Sequence, residues 1–418
     1  MKLNTVRGMR DLLPEEAKLK KKIIETCIEV YESFGFEPVE SPILEYFETI
    51  TKKSAGTEIE KEIYVFKDKS NRKLALRFDL TLPLARIVAM YPIAKPFRRY
   101  QIGRVYRYDR PQAKRYREFT QADIDIIGSS SVVADYECVA AVNEVLKKLG
   151  INAKIRINNR AFLEDVALSL GIKKNRINDA FRIIDKADKF GWQFVEKEFE
   201  KEKLSKKFLE IVKNNDLNKA KNIANNQRGI EELEELYQLL KKNSCKNTKI
   251  DLTLARGLEY YTGNVFEITT DENISIAGGG RYDNLIGIFS GENVPAVGIS
   301  IGVDRVLDML IAKGKKVGSI TDVLVAPVAI EAQKLIGIAA KIRKLGLNVE
   351  LYSEKKGISK ILEYANKKRI GFVVLIGENE LKVSKLTLKD MESGKQYKIK
   401  INELKKIWEI IKKKSTKK

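Results

Sequence analysis

The stretch REFTQADIDIIG, residues 117–128, alternates with a period of two. Phe119, Gln121, Asp123 and Asp125 fall on one face of such a strand, and Thr120, Ala122, Ile124 and Ile126 on the other. The second face belongs against a core. The first presents an aromatic ring, an amide and two carboxylates to something polar. Ahead of it, GRVYRYDR reads as a strand and PQAKRY as a basic loop, so residues 103–128 read as a hairpin. Arg107 is well placed across that hairpin to look the same way. A hairpin with one core face and one chemical face is the strongest constraint on what the chain can fold into.

The rest of the chain is organised around it. At 418 residues the chain exceeds what one hydrophobic core supports, so two or three domains are expected. Residues 15–34 carry apolar positions at helical spacing behind an acidic first turn. GFEPVESPILEY, 35–46, reads as extended, because Pro38 and Pro42 forbid helix. LALRFDLT, 74–81, alternates, with Arg77, Asp79 and Thr81 on one face and Leu76, Phe78 and Leu80 on the other, before Pro83 opens a helix. Residues 165–248 are charged and helical in pattern, like an inserted subdomain. Residues 250–302 return to strands and run into a helix bearing Arg305. From about Thr321 the strands DVLVAPV, NVELYS and FVVLIG alternate with helical segments, a βαβαβ pattern that predicts a small α/β domain with a mainly parallel sheet. Residues 313–319, KGKKVGS, suit a linker. The last helix places Ile407, Trp408 and Ile411 on its apolar side.

Composition narrows the chemistry. There is no histidine anywhere in the chain. That excludes an imidazole general base, a histidine metal ligand and a Ser-His-Asp triad. Three cysteines lie far apart with no CxxC pair, so no zinc set is expected and the thiols read as reduced, in a cytoplasmic protein. No apolar run is long enough to span a bilayer, and the first residues lack the apolar segment of a secretory signal. Lys and Arg number 78 against 57 Asp and Glu, a formal charge of +21. That excess suits a polyanionic partner; a Lys-rich surface from biased composition gives the same number.

Four constellations carry candidate chemistry, each beside a plainer reading. Arg107, Arg115 and Arg117 sit on or beside the hairpin loop, with Phe119 following. Arginine forks grip phosphate oxygens, and a ring beside them can stack on a base. The plainer reading is a solvated basic hairpin. Arg305 falls in the first turn of a helix, where the dipole disfavours a cation, so a functional reason or an ion pair to Asp304 or Asp308 is needed. AGGGRYDNLI, 277–286, lacks the GK[ST] of a P-loop, but its glycines admit close backbone approach or a tight turn. LARGLEYYTG, 254–263, sets Arg256 to oppose a phosphate and Tyr260 and Tyr261 to offer hydroxyls. Two tyrosines alternating across a strand, one buried and one exposed, would read the same.

In order and together, these stretches closely resemble the histidyl-tRNA synthetases, a class II aminoacyl-tRNA synthetase family, essentially end to end. GFEPVESPILE is similar to motif 1, the dimer-interface segment. VYRYDRPQAKRYREFTQADIDIIG is similar to motif 2 with its loop, and AVGISIGVDRVL to motif 3. LARGLEYYTG and AGGGRYD resemble the two stretches specific to the histidine family, with Glu259 where many members have Asp. The resemblance implies an α+β fold: an antiparallel catalytic sheet flanked by helices in residues 1–320, a helical insertion at about 165–248, and an α/β anticodon-binding domain in 321–418.

It also implies roles. Arg107 resembles the arginine on the α-phosphate of ATP, and Arg115 the loop arginine reaching the γ-phosphate. Phe119 and Arg305 match the pair that sandwiches adenine. Asp79, Thr81 and Gln121 match residues on the ammonium group of the amino acid. Arg256 matches the family arginine across the α-phosphate. Asp125, Tyr261 and Tyr282 match the side-chain pocket, with Tyr260 beside them. Gln112 and its loop would meet the acceptor end of the tRNA. The implied partners are L-histidine, ATP with Mg²⁺ on its phosphates, tRNA(His) and a second copy of the chain, with no resident metal and no membrane. A carboxylate is already ionised at neutral pH, so activation needs alignment and charge cancellation rather than a base. Anticodon-reading residues are expected near the carboxyl ends of the strands at 323–328, 349–353 and 372–376. The alternative is a catalytically inactive paralogue serving as regulatory subunit of an ATP phosphoribosyltransferase. Members of that group resemble the catalytic domain but usually degrade its ATP and tRNA features and lack the C-terminal domain.

Overall fold

The computed structural model describes residues 3–52, 62–108, 116–243, 245–255, 260–272 and 274–415. The hairpin expected at 103–128 is present and longer at its start. Strand β5 (Phe97–Tyr106) pairs antiparallel with β6 (Glu118–Ile127), from Phe97 opposite Ile127 to Tyr106 opposite Glu118. It lies inside an eight-stranded sheet of order β1-β5-β6-β11-β10-β9-β7-β8. The other members are β1 (Glu37–Pro38), β7 (Ala153–Asn159), β8 (Thr248–Ile250), β9 (Asn264–Thr270), β10 (Ser275–Arg281) and β11 (Ala296–Gly302). The pairs from β5 to β7 are antiparallel, and only the edge pairs β1–β5 and β7–β8 are parallel. A small antiparallel sheet, β2 (Leu44–Tyr46), β4 (Lys73–Leu76) and β3 (Val65–Lys67), stands apart from it.

Helices cover the large sheet where their apolar stripes demand it. In α1 (Pro14–Ser33) proline occupies the first turn, Glu15 and Glu16 complement the positive helix start, and Leu19, Ile23, Cys27, Val30 and Tyr31 are buried at helical spacing. In α3 (Val132–Lys148) the Ser131 hydroxyl accepts the Val133 N–H at 3.2 Å, and Lys147 and Lys148 sit in the last turn, where the dipole favours them.

The strand expected over 74–81 is shorter than its pattern. It ends at Leu76, and α2 (Thr81–Met90) begins at Thr81. The Asp79 carboxylate accepts the Leu82 N–H at 3.1 Å and so starts the helix early. Arg77 consequently shares no strand face with Asp79. Its guanidinium turns to the Ser41 carbonyl at 2.7 Å and the Arg104 carbonyl at 2.9 Å.

The helical insertion begins at Arg160, a few residues before its expected start, and its last helix, α4 (Arg228–Asn243), packs on α3 and β7. Phe162, Phe181, Phe199 and Phe208 fill its interior. At its edge Arg156 reaches Asp251 at 2.9 Å, Glu267 at 2.9 Å and Thr253 at 2.9 Å. Burial pushes the Asp251 carboxyl up, but Arg156, Thr253 and Lys249 outweigh it and bring it down to about 2. A depressed carboxyl stabilises the fold above its unfolded value of about 3.9 and loses that contribution as pH falls through its folded value. Arg156→Met should therefore cost about 3 kcal/mol in urea unfolding at pH 6. The gap from the parent should shrink as the pH is lowered from about 4 towards 2.

By contact density the chain divides into two units, Met1–Lys315 and Lys316–Lys418. The second holds a five-stranded sheet of order β13-β12-β14-β15-β16. Strand β12 (Val323–Val328) runs parallel to β13 (Val349–Leu351) and β14 (Phe372–Gly377), as the βαβαβ pattern predicts. An antiparallel pair, β15 (Lys385–Asp390) and β16 (Gln396–Lys400), extends it and makes the sheet mixed. Its Lys-rich alternation hid it, because only one face of each strand is apolar. In the last helix, α6 (Lys405–Ser415), Ile407 and Ile411 are buried one turn apart, while Trp408, expected beside them, is exposed. With α1 to α4 above, α5 (Val303–Ala312) completes the helices that matter for the site.

Candidate active site

A cavity of about 360 Å³ opens on the first unit, lined by β6, β10, β11, the Phe78–Thr81 turn and the Tyr260–Tyr261 segment. The polar face of β6 lines it as the alternation predicts, with Phe119, Gln121, Asp123 and Asp125 all contributing. The apolar face, Ala122, Ile124 and Ile126, is buried.

Asp125 lies at the cavity wall and is 3% exposed. The Tyr282 hydroxyl donates to its Oδ1, and Arg99 Nη2 lies 2.6 Å from its Oδ2. The second contact is a close charge pair without hydrogen-bond alignment. Burial raises the Asp125 carboxyl above its ordinary value, and Arg99 and the Tyr282 hydroxyl offset only part of that rise. Directly across the ladder from Asp125 stands Gly298, where an added Cβ would lie 1.9 Å from Asp125 Oδ1. Glycine is thus required on β11 to admit the carboxylate. Next along β6, the Gln121 amide donates to Ser300 Oγ at 2.6 Å.

Asp79 and Thr81 reach the same cavity from the start of α2. Burial raises Asp79, opposed by the Leu82 N–H and the charge of Arg107. Arg107, just past β5, donates from Nε to the Phe78 carbonyl at 3.1 Å, and its guanidinium stands 5.2 Å from the centre of the Phe119 ring. Arg305, in the first turn of α5, lines the cavity and donates to the Ser275 carbonyl at 2.9 Å.

The ion pair weighed as an alternative for Arg305 is largely pre-empted. Asp304 takes Lys20 at 3.0 Å, Arg10 at 3.3 Å and the Thr120 N–H at 2.6 Å. Asp308 takes Arg10 at 2.7 Å and the Tyr116 hydroxyl at 3.0 Å. Arg10 also stacks 4.0 Å over the Tyr116 ring. This lock between the N-terminal segment and α5 was missed by sequence reasoning, and no local pattern signals a pair 298 residues apart.

Tyr260 and Tyr261 do not alternate across a strand, because β9 starts only at Asn264. Both rings line the cavity, 4.9 Å apart, and Tyr260 lies 6.2 Å from Tyr282. The glycines of AGGGRYD make no turn. They lie within β10, where a Cβ on Gly279 would meet the Gly298 carbonyl at 2.0 Å and one on Gly280 the Tyr261 ring at 2.9 Å. Their smallness lets β10, β11 and the Tyr261 ring close up. The next residue, Arg281, pairs with buried Asp135 and donates to the Ser129 carbonyl at 2.8 Å, fixing the backbone that carries Tyr282. Arg115 and Gln112 of the loop, and Arg256 and Glu259 of LARGLEYYTG, lie outside the described residues.

Two guanidinium groups, a ring, hydroxyls and buried carboxylates thus share one cavity. That set accommodates a ligand with phosphate, a flat base and polar N–H groups. A family model described as histidyl-tRNA synthetase matches residues 8–306, and one described as anticodon binding domain matches 322–412. The histidine--tRNA ligase of Helicobacter pylori is 41% identical, covering 93% of this chain and 94% of its own length. Histidine--tRNA ligase 1 of Bacillus cereus is 38% identical, covering 97% and 99%. Among solved structures, histidyl-tRNA synthetase from Nostoc sp. PCC 7120 superposes with a TM-score of 0.83 at 32% identity, covering 97% of this chain and 99% of its own. An ATP phosphoribosyltransferase regulatory subunit/histidyl-tRNA synthetase from Bacillus halodurans C superposes with a TM-score of 0.77 at 24% identity, covering 90% and 99%, a likeness of fold.

Proposed function

Because this chain belongs to the histidyl-tRNA synthetase family, we propose that it is a histidine–tRNA ligase. It activates L-histidine with ATP to histidyl-adenylate, then transfers the histidyl group to the 3′ end of tRNA(His). The observation that carries the reading is the single cavity bearing Arg107, Phe119 and Arg305 together with Asp125, Tyr261 and Tyr282. A site serving either ATP or an imidazole alone would not need both sets.

In step one the histidine carboxylate attacks the α-phosphorus and pyrophosphate leaves. Arg107 and Arg256 cancel charge on the α-phosphate, and Arg115 meets the γ-phosphate. ATP enters as its Mg²⁺ complex, the ion belonging to the substrate. Adenine lies between Phe119 and Arg305. The ammonium group meets Asp79, Thr81 and Gln121. A neutral imidazole has one donor and one acceptor nitrogen. Asp125 takes the donor and the Tyr261 hydroxyl meets the acceptor, with Tyr282 orienting Asp125 and Tyr260 closing the side. In step two the terminal ribose hydroxyl of tRNA attacks the mixed anhydride, its proton passes to a phosphate oxygen of the adenylate, and AMP leaves. Gln112 and its loop meet the acceptor end. No step needs a protein imidazole, consistent with a chain that has none.

Residues 1–320 form the catalytic domain and 321–418 the anticodon-binding domain, the latter supported by the family match over 322–412. A polyanionic RNA partner fits the +21 charge. The enzyme works as a homodimer through the segment around 35–46. Ile43, Leu44 and Tyr46 there, with Val65 and Phe66 of β3, are exposed apolar side chains in this single chain. Among the described residues no helix is long and apolar enough to cross a membrane, and the cytoplasm is the proposed location. Arg107 and Arg305 in the cavity, with the anticodon-domain match, weigh against the regulatory paralogue.

ATP–pyrophosphate exchange without tRNA, run with each amino acid in turn, tests the reading. Exchange with histidine alone is expected. No exchange with any amino acid, alongside retained histidine binding, would favour the regulatory paralogue. Absence of both would overturn the function while leaving the fold.

A further inference from the structure

Arg99 is wholly buried, yet it does not line the cavity. It lies on β5 directly opposite Asp125 on β6, with Nη2 2.6 Å from Asp125 Oδ2 and 3.3 Å from the Leu80 carbonyl. Its Nε and Nη1 have no hydrogen-bond partner among the described residues. A buried guanidinium with so few hydrogen bonds is a poor device for stability, since an apolar side chain of similar volume does as well or better. Its charge also reaches Asp79 and Asp123; Asp123 lines the cavity, is 4% exposed, and has an Oδ1 equally without a partner among the described residues.

We propose that Arg99 is a positioning residue of the histidine pocket: the buried cation holds the Asp125 carboxylate aimed at the imidazole, and its field is shared with the neighbouring carboxyl of Asp123. The inference deepens the histidine-activating reading and rests on it. Asp79, Asp123 and Asp125 all line the cavity, and Asp123 feels the charge of the other two. Like charges in a dry site do not all stay ionised. Asp79 has the Leu82 and Thr81 N–H groups and the field of Arg107, with Arg99 a smaller influence. Asp125 has Arg99 in contact and the Tyr282 hydroxyl. Asp123 has the weakest support. Facing it are Arg99 from β5, Asp125 from its own strand, Ser300 from β11, Asp79 from the turn before α2, and at longer range Tyr31 of α1 and Arg77. Burial, then the Asp125 and Asp79 charges, push it up to about 7 against the pull of Arg99 and Ser300. The Ser300 oxygen already accepts the Gln121 amide, so its own O–H is free to serve Asp123. Remove Arg99, and the two β6 carboxyls compete for one charge. A proton then settles on Asp125 as readily as on Asp123, and the imidazole N–H loses its acceptor.

The experiment measures separate KM values for histidine and ATP in pyrophosphate exchange, with thermal unfolding as the folding control. An opposite charge in contact shifts a carboxyl by one to three pKa units, so Arg99→Met should raise the histidine KM about 100-fold. The ATP KM should stay within about twofold, because uniform binding is lost for one substrate only. Arg99→Lys should restore most of the loss. The second-site change is Asp123→Asn. Added to Arg99→Met it should recover about tenfold, since it removes the competing carboxylate. A purely structural arginine predicts the opposite: both KM values move together, and the double variant is no better than Arg99→Met. Either result overturns the inference, as does an unchanged histidine KM. If Arg99→Met does not fold, Arg99→Gln, which removes the charge but keeps a polar side chain, takes its place, and a histidine KM within about twofold of the parent overturns the inference. A parent that shows no histidine-dependent exchange refutes the function instead. The same variants are then compared by calorimetric histidine titration, where equal affinities overturn the inference independently.

Discussion

Arg107→Ala is expected to lower histidine-dependent pyrophosphate exchange by about 10²–10³-fold, the usual cost of removing one preorganised charge from a transition state. The way the guanidinium is held suits that proposed role. Its Nε is anchored on the Phe78 carbonyl at 3.1 Å, and its plane stands beside the Phe119 ring at 5.2 Å. That leaves the two Nη groups as a fork for phosphate oxygens. The loss should appear in kcat and in the ATP KM, while histidine still raises the thermal midpoint of the variant. Arg107→Lys keeps the charge without the fork and should recover only part of the rate. A variant that exchanges within a few-fold of the parent would remove Arg107 from the α-phosphate.

Gly298→Ala is the smallest substitution with a large expected effect. The new methyl would sit 1.9 Å from Asp125 Oδ1, 2.6 Å from its Cγ and 2.9 Å from the Ile124 carbonyl. The strand ladder holds that backbone on both sides, so the Asp125 side chain must move. Displacing a recognition group by about 1 Å costs about 10²-fold, and the histidine KM should rise by that order. The ATP KM should move far less. Gly337→Ala is the matched control, because nothing lies within 4 Å of its Cβ and it sits in a helix. There alanine should be neutral or stabilise by up to about 1 kcal/mol. Equal histidine KM values in parent and Gly298→Ala would mean that Asp125 is not the imidazole acceptor.

The sequence was most legible where a face repeats locally. Alternation over residues 117–128 predicts both the strand and the cavity-lining set Phe119, Gln121, Asp123 and Asp125, and the structure has both. It was least legible where a single side chain overrides the pattern. The 74–81 alternation continues past Leu76 on paper, but the Asp79 carboxylate starts a helix there and turns Arg77 away. Tyr260 and Tyr261 read as two faces of a strand until β9 begins beyond them and both rings close on one cavity.

By itself the sequence determined the hairpin, the helical insertion, the α/β texture after Thr321 and the family resemblance, because periodicity and motif spacing are local properties of the chain. Only the tertiary structure decided which charges meet. Arg99 finds Asp125 through the register of β5 on β6, Gly298 admits that carboxylate through the register of β11, and Arg10 reaches Asp308 across 298 residues. A slip of one residue in the β5–β6 ladder would send Arg99 to the face opposite Asp125. Burial then gives the pairs their weight, since a charge that water could screen is indifferent to its neighbour, and one sealed behind a cavity wall is not.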